Sequence, residues 1–168
     1  MFDQYSFRAK RVVYLTRLKA GRRGAPALEP AHLVEALVLE DQGEFAEALG
    51  ISGEVGIPFG SPGLKPSRQF FTAELASQIL PKLERLLTKS EPIPDSTDMP
   101  ASPALSRTFD AAITLSKELG HKQVEPLHLL AAALSEPTSK ASEVLNEAGV
   151  TREGVIAAMR AIHPDEDA

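Results

Sequence analysis

Residues 124–130 read VEPLHLL, and residues 28–34 read LEPAHLV, ninety-six positions earlier. The order of residues in this phrase has a physical reading at a helix start. Pro30 and Pro126 suit a first-turn position, where the missing N–H would have had no intrahelical partner. Glu29 and Glu125 set a carboxylate beside the positive end of the helix dipole. Leu33, Ala36, Leu37 and Glu40 in one copy, and Leu129, Ala132, Ala133 and Glu136 in the other, then alternate buried and exposed at helical spacing. Each copy predicts a short helix of about three turns.

The match runs far beyond the phrase. At an offset of 96 without gaps, Ser6 aligns with Ser102, Ala9 with Leu105, Arg11 with Arg107, Val13 with Phe109 and Gly24 with Gly120. It continues through His32/His128 to Glu40/Glu136, and after a shift of three, ALGI (48–51) falls on EAGV (147–150). Ahead of each phrase, Ala9, Val12, Val13 and Thr16, and likewise Leu105, Thr108, Phe109 and Ala112, form one apolar or small stripe at helical spacing. Helices are predicted over 6–20 and 102–119, the second with Ser102 as N-cap and Pro103 at its first position, and Gly24 and Gly120 where the chain turns. A third short helix is expected near 43–49 and 139–148, the latter opened by Thr138 or Ser139, and a fourth at 151–162 capped by Thr151.

The halves differ most after Gly50. Residues 50–71 are rich in Gly, Pro and Ser and read as a long loop. Thr72 then caps a helix carrying Leu75, Ile79, Leu83, Leu86 and Leu87, with a kink or break expected near Ile79 because Pro81 follows. The stretch SEPIPDSTDMPASP (90–103) reads as an extended connection. The chain is thus expected to be a single domain over 1–168, with repeat 1 at 1–89, a linker at 90–101 and repeat 2 at 102–163.

Composition narrows the chemistry. With 168 residues and 43% apolar content the chain can bury a core, and no apolar run reaches the roughly 20 residues needed to span a bilayer. The N-terminus MFDQYSFRAK lacks the apolar stretch of a signal peptide, so a cytoplasmic location is expected. The chain has no cysteine, which excludes disulfides, thiolate metal sites and cysteine nucleophiles. A net charge of −5 speaks against nucleic acid, although seven of the eighteen Lys and Arg residues lie within the first 23 positions.

A helix ending at Gly, then [VL]-E-P-x-H-L-[LV], a short helix and an apolar-[LA]-G-[VI] turn, all occurring twice, resembles the Clp N-terminal domain. VEPLHLLAAAL in particular resembles the repeat of the ClpB group, and ClpA and ClpC carry similar phrases. The resemblance covers residues 2–49 and 101–162 well and 50–100 poorly. It implies an all-α fold of about eight helices, in which two four-helix Clp repeats pack by pseudo-twofold symmetry. It also implies a non-catalytic module that binds unfolded substrates or adaptor proteins for a Clp AAA+ ring. In the ClpC type, a Glu preceding the motif His in each repeat helps read phosphorylated arginine. Ala31 and Leu127 stand there in this chain, so that activity is not carried over.

No Walker motif accompanies the repeats: the Gly-rich stretch 53–63 contains no Gly-Lys pair, so no ATP site is expected in this chain. No catalytic motif, cofactor or metal is expected either. His32 and His128 recur, but only Glu29, Glu35 and Glu125 lie near them in sequence, and they read as devices fixing a helix start or the seam between repeats. His121 and His163 have no recurring counterpart. Candidates for partner binding are Phe2, Tyr5, Phe7, Phe59, Phe70 and Phe71, with Phe59 the first choice for exposure, together with Glu29 and Glu125. Pro30, His32, Leu33, Pro126, His128 and Leu129 read as the structural motif. The expected partner is protein, with no nucleic acid, no membrane and a monomer in isolation; the alternatives are a stand-alone regulator docking on a Clp assembly and an anion-binding or nucleic-acid-binding helical domain.

Overall fold

A computed structural model describes residues 3–45, 48, 70–87, 89–94 and 97–162. Among them seven helices follow in order: α1 (Phe7–Arg22), α2 (Pro30–Asp41), α3 (Ala73–Leu86), α4 (Pro103–Glu118), α5 (Pro126–Ser135), α6 (Lys140–Glu147) and α7 (Arg152–Ile162). Phe45 and Ala48 are helical as well, within the short helix expected near 43–49, whose residues 46, 47 and 49 lie outside the described set. The expected loop 50–71 likewise lies outside it except for Phe70 and Phe71. The only extended pairing among the described residues is two isolated bridges, and the fold is all-α.

The local devices match in the two halves. The Ser6 hydroxyl accepts from the Ala9 N–H at 3.1 Å at the start of α1, and the Ser102 hydroxyl accepts from the Leu105 N–H at 3.2 Å at the start of α4. Ser139 caps α6 by accepting from the Ala141 N–H, and Thr151 accepts from the Gly154 N–H at the entrance to α7. Gly24 and Gly120 both turn the chain with φ near +70° (69° and 74°). Only Gly24 is also closely covered: a Cβ there would lie 2.8 Å from the Ser90 carbonyl carbon, whereas nothing lies within 4 Å at Gly120. The reason is the connection between halves, which lies on the end of α1. The Ser90 N–H donates to the Arg23 carbonyl at 2.7 Å, the Ile93 N–H donates to the Gly21 carbonyl at 2.8 Å, and Arg17 donates to the carbonyls of Pro94 and Thr97.

The two bridges reveal the symmetry. Tyr5 pairs with Val124 and Leu28 pairs with Ala101. At the 96-residue offset Tyr5 corresponds to Ala101 and Leu28 to Val124, so the same contact is made twice with the halves exchanged. The hydrogen bonds are reciprocal too: Ser6 N–H to the Val124 carbonyl (3.0 Å) and Ser102 N–H to the Leu28 carbonyl (2.8 Å). The segment leading into each repeated phrase therefore grips the start of the other half's first helix.

Two expectations are corrected. Helix α3 is not broken at Pro81 but runs through it from Ala73 to Leu86. Pro81 is exposed, while Ala76 and Ile79 before it and Leu83 after it are buried, so packing on both sides offsets the lost backbone bond of about 3 kcal/mol. Nor do α2 and α5 alternate between buried and exposed faces. In α2 even Glu35, Glu40 and Asp41 are buried, because α1, α3 and α5 enclose it; α5 is surrounded by α1, α2, α4, α6 and α7. Leu33, Val34, Leu129 and Leu130 belong to a core continuous across both halves, each buried leucine contributing about 1.5–3 kcal/mol.

Candidate functional site

At the entrance to α2, the Glu29 N–H donates to His32 Nδ1 at 2.9 Å, and the Glu29 side chain accepts from the His32 backbone N–H. Glu125 and His128 repeat the exchange at α5, with 2.8 Å between the Glu125 nitrogen and His128 Nδ1. The two partners satisfy each other's orphan donors as in a capping box, with His in the position usually held by Glu or Gln. Because Nδ1 accepts, the proton of each neutral ring sits on Nε2.

The two Nε2 atoms meet different surroundings. His128 Nε2 lies 2.7 Å from His121 Nδ1, both rings buried, so its proton is donated there. His121 therefore does have a partner, which its lack of a repeat counterpart concealed. The position aligned with His121 in the first half is Ala25, and His32 Nε2 is buried with no partner among the described residues. Burial, reinforced by the Arg23 guanidinium, lowers the His32 imidazole from its ordinary 6.5 to about 4. Its folded value lies below its unfolded value, so its stabilising effect is complete above pH 6.5 and is lost as pH falls toward 4. Against a His32→Gln variant, whose amide still suits the capping role, the protein should lose roughly 3 kcal/mol of relative stability between pH 7 and pH 4. Urea denaturation of both proteins across that range measures the difference directly.

His32 also lines a cleft of about 460 Å³. Among the described residues it is lined by Ala25, Ala27 and the Glu29–His32 helix start from the first half, by Leu86 and Leu87, and by Ala104 and the entrance to α6 from Thr138 to Ala141. The cleft lies between the halves, at the N-terminal ends of α2, α4 and α6.

A second surface feature lies on α1. Phe7 is 70% exposed and Tyr14 is 42% exposed, the two large exposed apolar residues among those described. Lys10 sits between them on the same helical face, its ammonium 5.7 Å from the centre of the Phe7 ring.

The other sequence candidates are distributed differently. Tyr5 and Phe71 are each only 2% exposed and are core residues, a correction to their candidacy as contact residues. Tyr5 belongs to the bridge between halves, and the Phe71 N–H donates to the Asp41 carboxylate, which fixes the chain entering α3. Phe70 is half-buried, edge-on to Phe71. Phe2 and Phe59 lie outside the described residues. Glu29 is exposed and committed to the capping exchange, and Glu125 is half-buried in its own. Pro30, Leu33, Pro126 and Leu129 are buried as motif residues should be.

The basic N-terminal helix is largely engaged. Arg8 donates to Glu40 (2.7 Å), Arg23 forms a two-pronged pair with Glu35 (2.5 and 2.6 Å), and Arg22 donates to the Ala48 carbonyl (2.6 Å). Arg11, buried, lies 4.0 Å from Glu40. In the second half Arg107 donates to Glu136 at 2.8 Å, and the bonds from Arg107 and Thr138 hold the Glu136 carboxyl down at about 2. Both members of this pair recur at the repeat offset, Arg11 with Arg107 and Glu40 with Glu136, and that paired recurrence was the available sequence signal for it. Among the described residues no cluster of three or more His, Asp or Glu could hold a metal ion, and no helix is long and apolar enough to cross a membrane.

The family model described as the Clp repeat (R) N-terminal domain matches residues 73–148 and 101–162. Chaperone protein ClpD2, chloroplastic, from Oryza sativa subsp. japonica is 25% identical over 152 residues, covering 89% of this chain; the chain spans 14% of that protein's length. In fold, the chain is similar to the N-terminal domain of the caseinolytic protease associated chaperone ClpD from Arabidopsis thaliana (TM-score 0.61, 16% identity, 95% of this chain and 97% of that one). It is similar also to the Hsp104 N-terminal domain from Candida albicans (TM-score 0.63, 12% identity, 99% and 94%). A structure from preliminary investigations of a malarial protein secretion system gives a TM-score of 0.68 at 17% identity over 94% and 93%. With the family model spanning more than half of its residues and the same helical architecture in these solved domains, the chain belongs to the Clp repeat N-terminal domain family.

Proposed function

We propose that this chain is a non-catalytic protein-interaction module that receives unfolded polypeptide segments or adaptor proteins for a Clp-type AAA+ machine in the cytoplasm. The observation that carries the reading is the exposed row Phe7, Lys10 and Tyr14 on α1, which offers aromatic surface and one cation to a passing chain. Family membership supports it. The engagement of Arg8, Arg17, Arg22 and Arg23 with carboxylates and carbonyls argues against a free anion-binding face. The module is read as a monomer, with repeat 1 at 1–89, a linker at 90–101 and repeat 2 at 102–163.

Titration with a chemically unfolded model protein tests this. The double substitution Phe7→Ala and Tyr14→Ser is expected to weaken binding about tenfold. The urea midpoint should move little, by about 0.5 kcal/mol or less in free energy, because both side chains are exposed. Unchanged affinity in the double variant would remove the α1 row from the reading, and no binding by the native chain would remove the receptor role. Adding the chain to an assembled Clp ATPase without substrate addresses the regulator alternative, which predicts a change in basal hydrolysis.

A further inference from the structure

We propose that the cleft between the halves is a binding site for the free C-terminal carboxylate of a partner polypeptide. Its polar lining is His32, the entrance to α6 and Lys140; Ala25 and Ala104 provide its room. The inference rests on the protein-binding reading and gives it a ligand chemistry.

The room arises from a difference between repeats. Ala25 aligns with His121 and Ala104 with Arg8. In the second half His121 fills the space beside His128, and Arg8 reaches Glu40 from the start of α1. Two alanines at the corresponding positions leave a cleft of about 460 Å³, within the roughly 300–1,000 Å³ of ordinary ligand sites and larger than one acidic side chain requires. That size favours a chain end with its last few residues. Ala27, Ala141, Leu86 and Leu87 supply apolar wall for small or aliphatic side chains at that end.

The polar character selects an anionic acceptor. His32 is 2% exposed, its Nδ1 is taken by the Glu29 N–H, and its Nε2–H has no partner among the described residues. A neutral imidazole in this tautomer can only donate at Nε2. The N-terminus of α6 adds the positive end of a helix dipole, and Lys140, exposed at its first position, adds a full charge. Glu29 is the one carboxylate among the described lining residues; it is exposed and tied to the His32 backbone N–H. Arg23 and Glu35, the other charges acting on His32, are paired with each other and act in opposite directions, Arg23 the more strongly. His32 Nε2 itself is buried, so a carboxylate reaches it only by displacing the groups packed against it.

The test uses the full chain and the peptide acetyl-Ala-Leu-Leu-Ala as free acid and as C-terminal amide, followed by calorimetry and by the nitrogen NMR signal of the His32 ring. The acid is expected to bind and to shift the Nε2 signal, with the amide about tenfold weaker or worse. Ala25→His, which copies the second half, should abolish peptide binding while the urea midpoint is kept or raised. Lys140→Glu, on the exposed rim, should weaken the acid at least about tenfold and serves if Ala25→His does not fold. Equal binding of acid and amide, wild-type binding by either variant, or no binding of the acid would overturn the proposal. An unfolded protein with an amidated C-terminus separates the two readings. If it binds through the α1 row while the acid peptide does not, only the cleft proposal falls; if neither binds, both fall.

Discussion

Replacing His128 with Ala is expected to destabilise the protein by about 3–5 kcal/mol, against about 1–3 kcal/mol for His32→Ala, although the two residues hold the same place in the repeated phrase. His128 is fully buried, accepts from the Glu125 N–H and donates to His121. Its removal opens a cavity, ends the capping exchange and takes from His121 Nδ1 its partner, and each of these effects destabilises in the same direction. His32→Ala loses one capping exchange and some packing, but it also removes a buried N–H that had no partner. Urea midpoints of the two single variants, compared at pH 7, decide the matter. Equal losses would contradict the role assigned to His121.

Glu40→Gln should cost about 3–5 kcal/mol, the usual consequence of removing one partner of a buried ion pair. The Glu40 side chain is 1% exposed and receives Arg8 through three contacts between 2.7 and 3.2 Å. Arg11, with its side chain 3% exposed, lies 4.0 Å away, and burial already lowers its basicity. Neutralising Glu40 would take its negative charge away from the Arg8 and Arg11 guanidinium groups at once. The aligned change Glu136→Gln should be clearly milder, since the Arg107 side chain is 56% exposed and water takes over its charge. Calorimetric melting of both variants checks the order, and a larger loss for Glu136→Gln would overturn this account.

Much of the architecture was legible from spacing. The offset of 96 residues located paired helices, and Ser102, Ser139 and Thr151 emerged as caps because a hydroxyl before an apolar run has little else to do. Of the kink or break expected near Ile79, the break does not occur, because the packing of Ile79 and Leu83 on either side of Pro81 offsets the cost of the proline. The burial of Glu40 and Glu136 was missed for a related reason: a carboxylate reads as exposed until its guanidinium partner, about thirty residues away, is brought beside it (|i−j| of 32 for Arg8 and 29 for Arg107). The candidate site was legible only in part. Phe7 was among the aromatic candidates, but Tyr5 and Phe71 share its residue class and lie in the core, and residue type alone cannot separate the two outcomes.

By itself the sequence determined what depends on neighbours along the chain: two copies of one helical unit, the Glu-Pro-x-His helix start, the caps and the turns at Gly24 and Gly120. The tertiary structure decided what depends on contacts between those units. It exchanged the pairing of Tyr5 with Val124 and Leu28 with Ala101 across a pseudo-twofold, and it laid the connection on α1. It also gave two identical histidines unlike surroundings, because His121 fills in one half the space that Ala25 leaves open in the other. Local signals repeat when the sequence repeats, whereas packing responds to every unmatched side chain, and the cleft lies where the two halves stop matching.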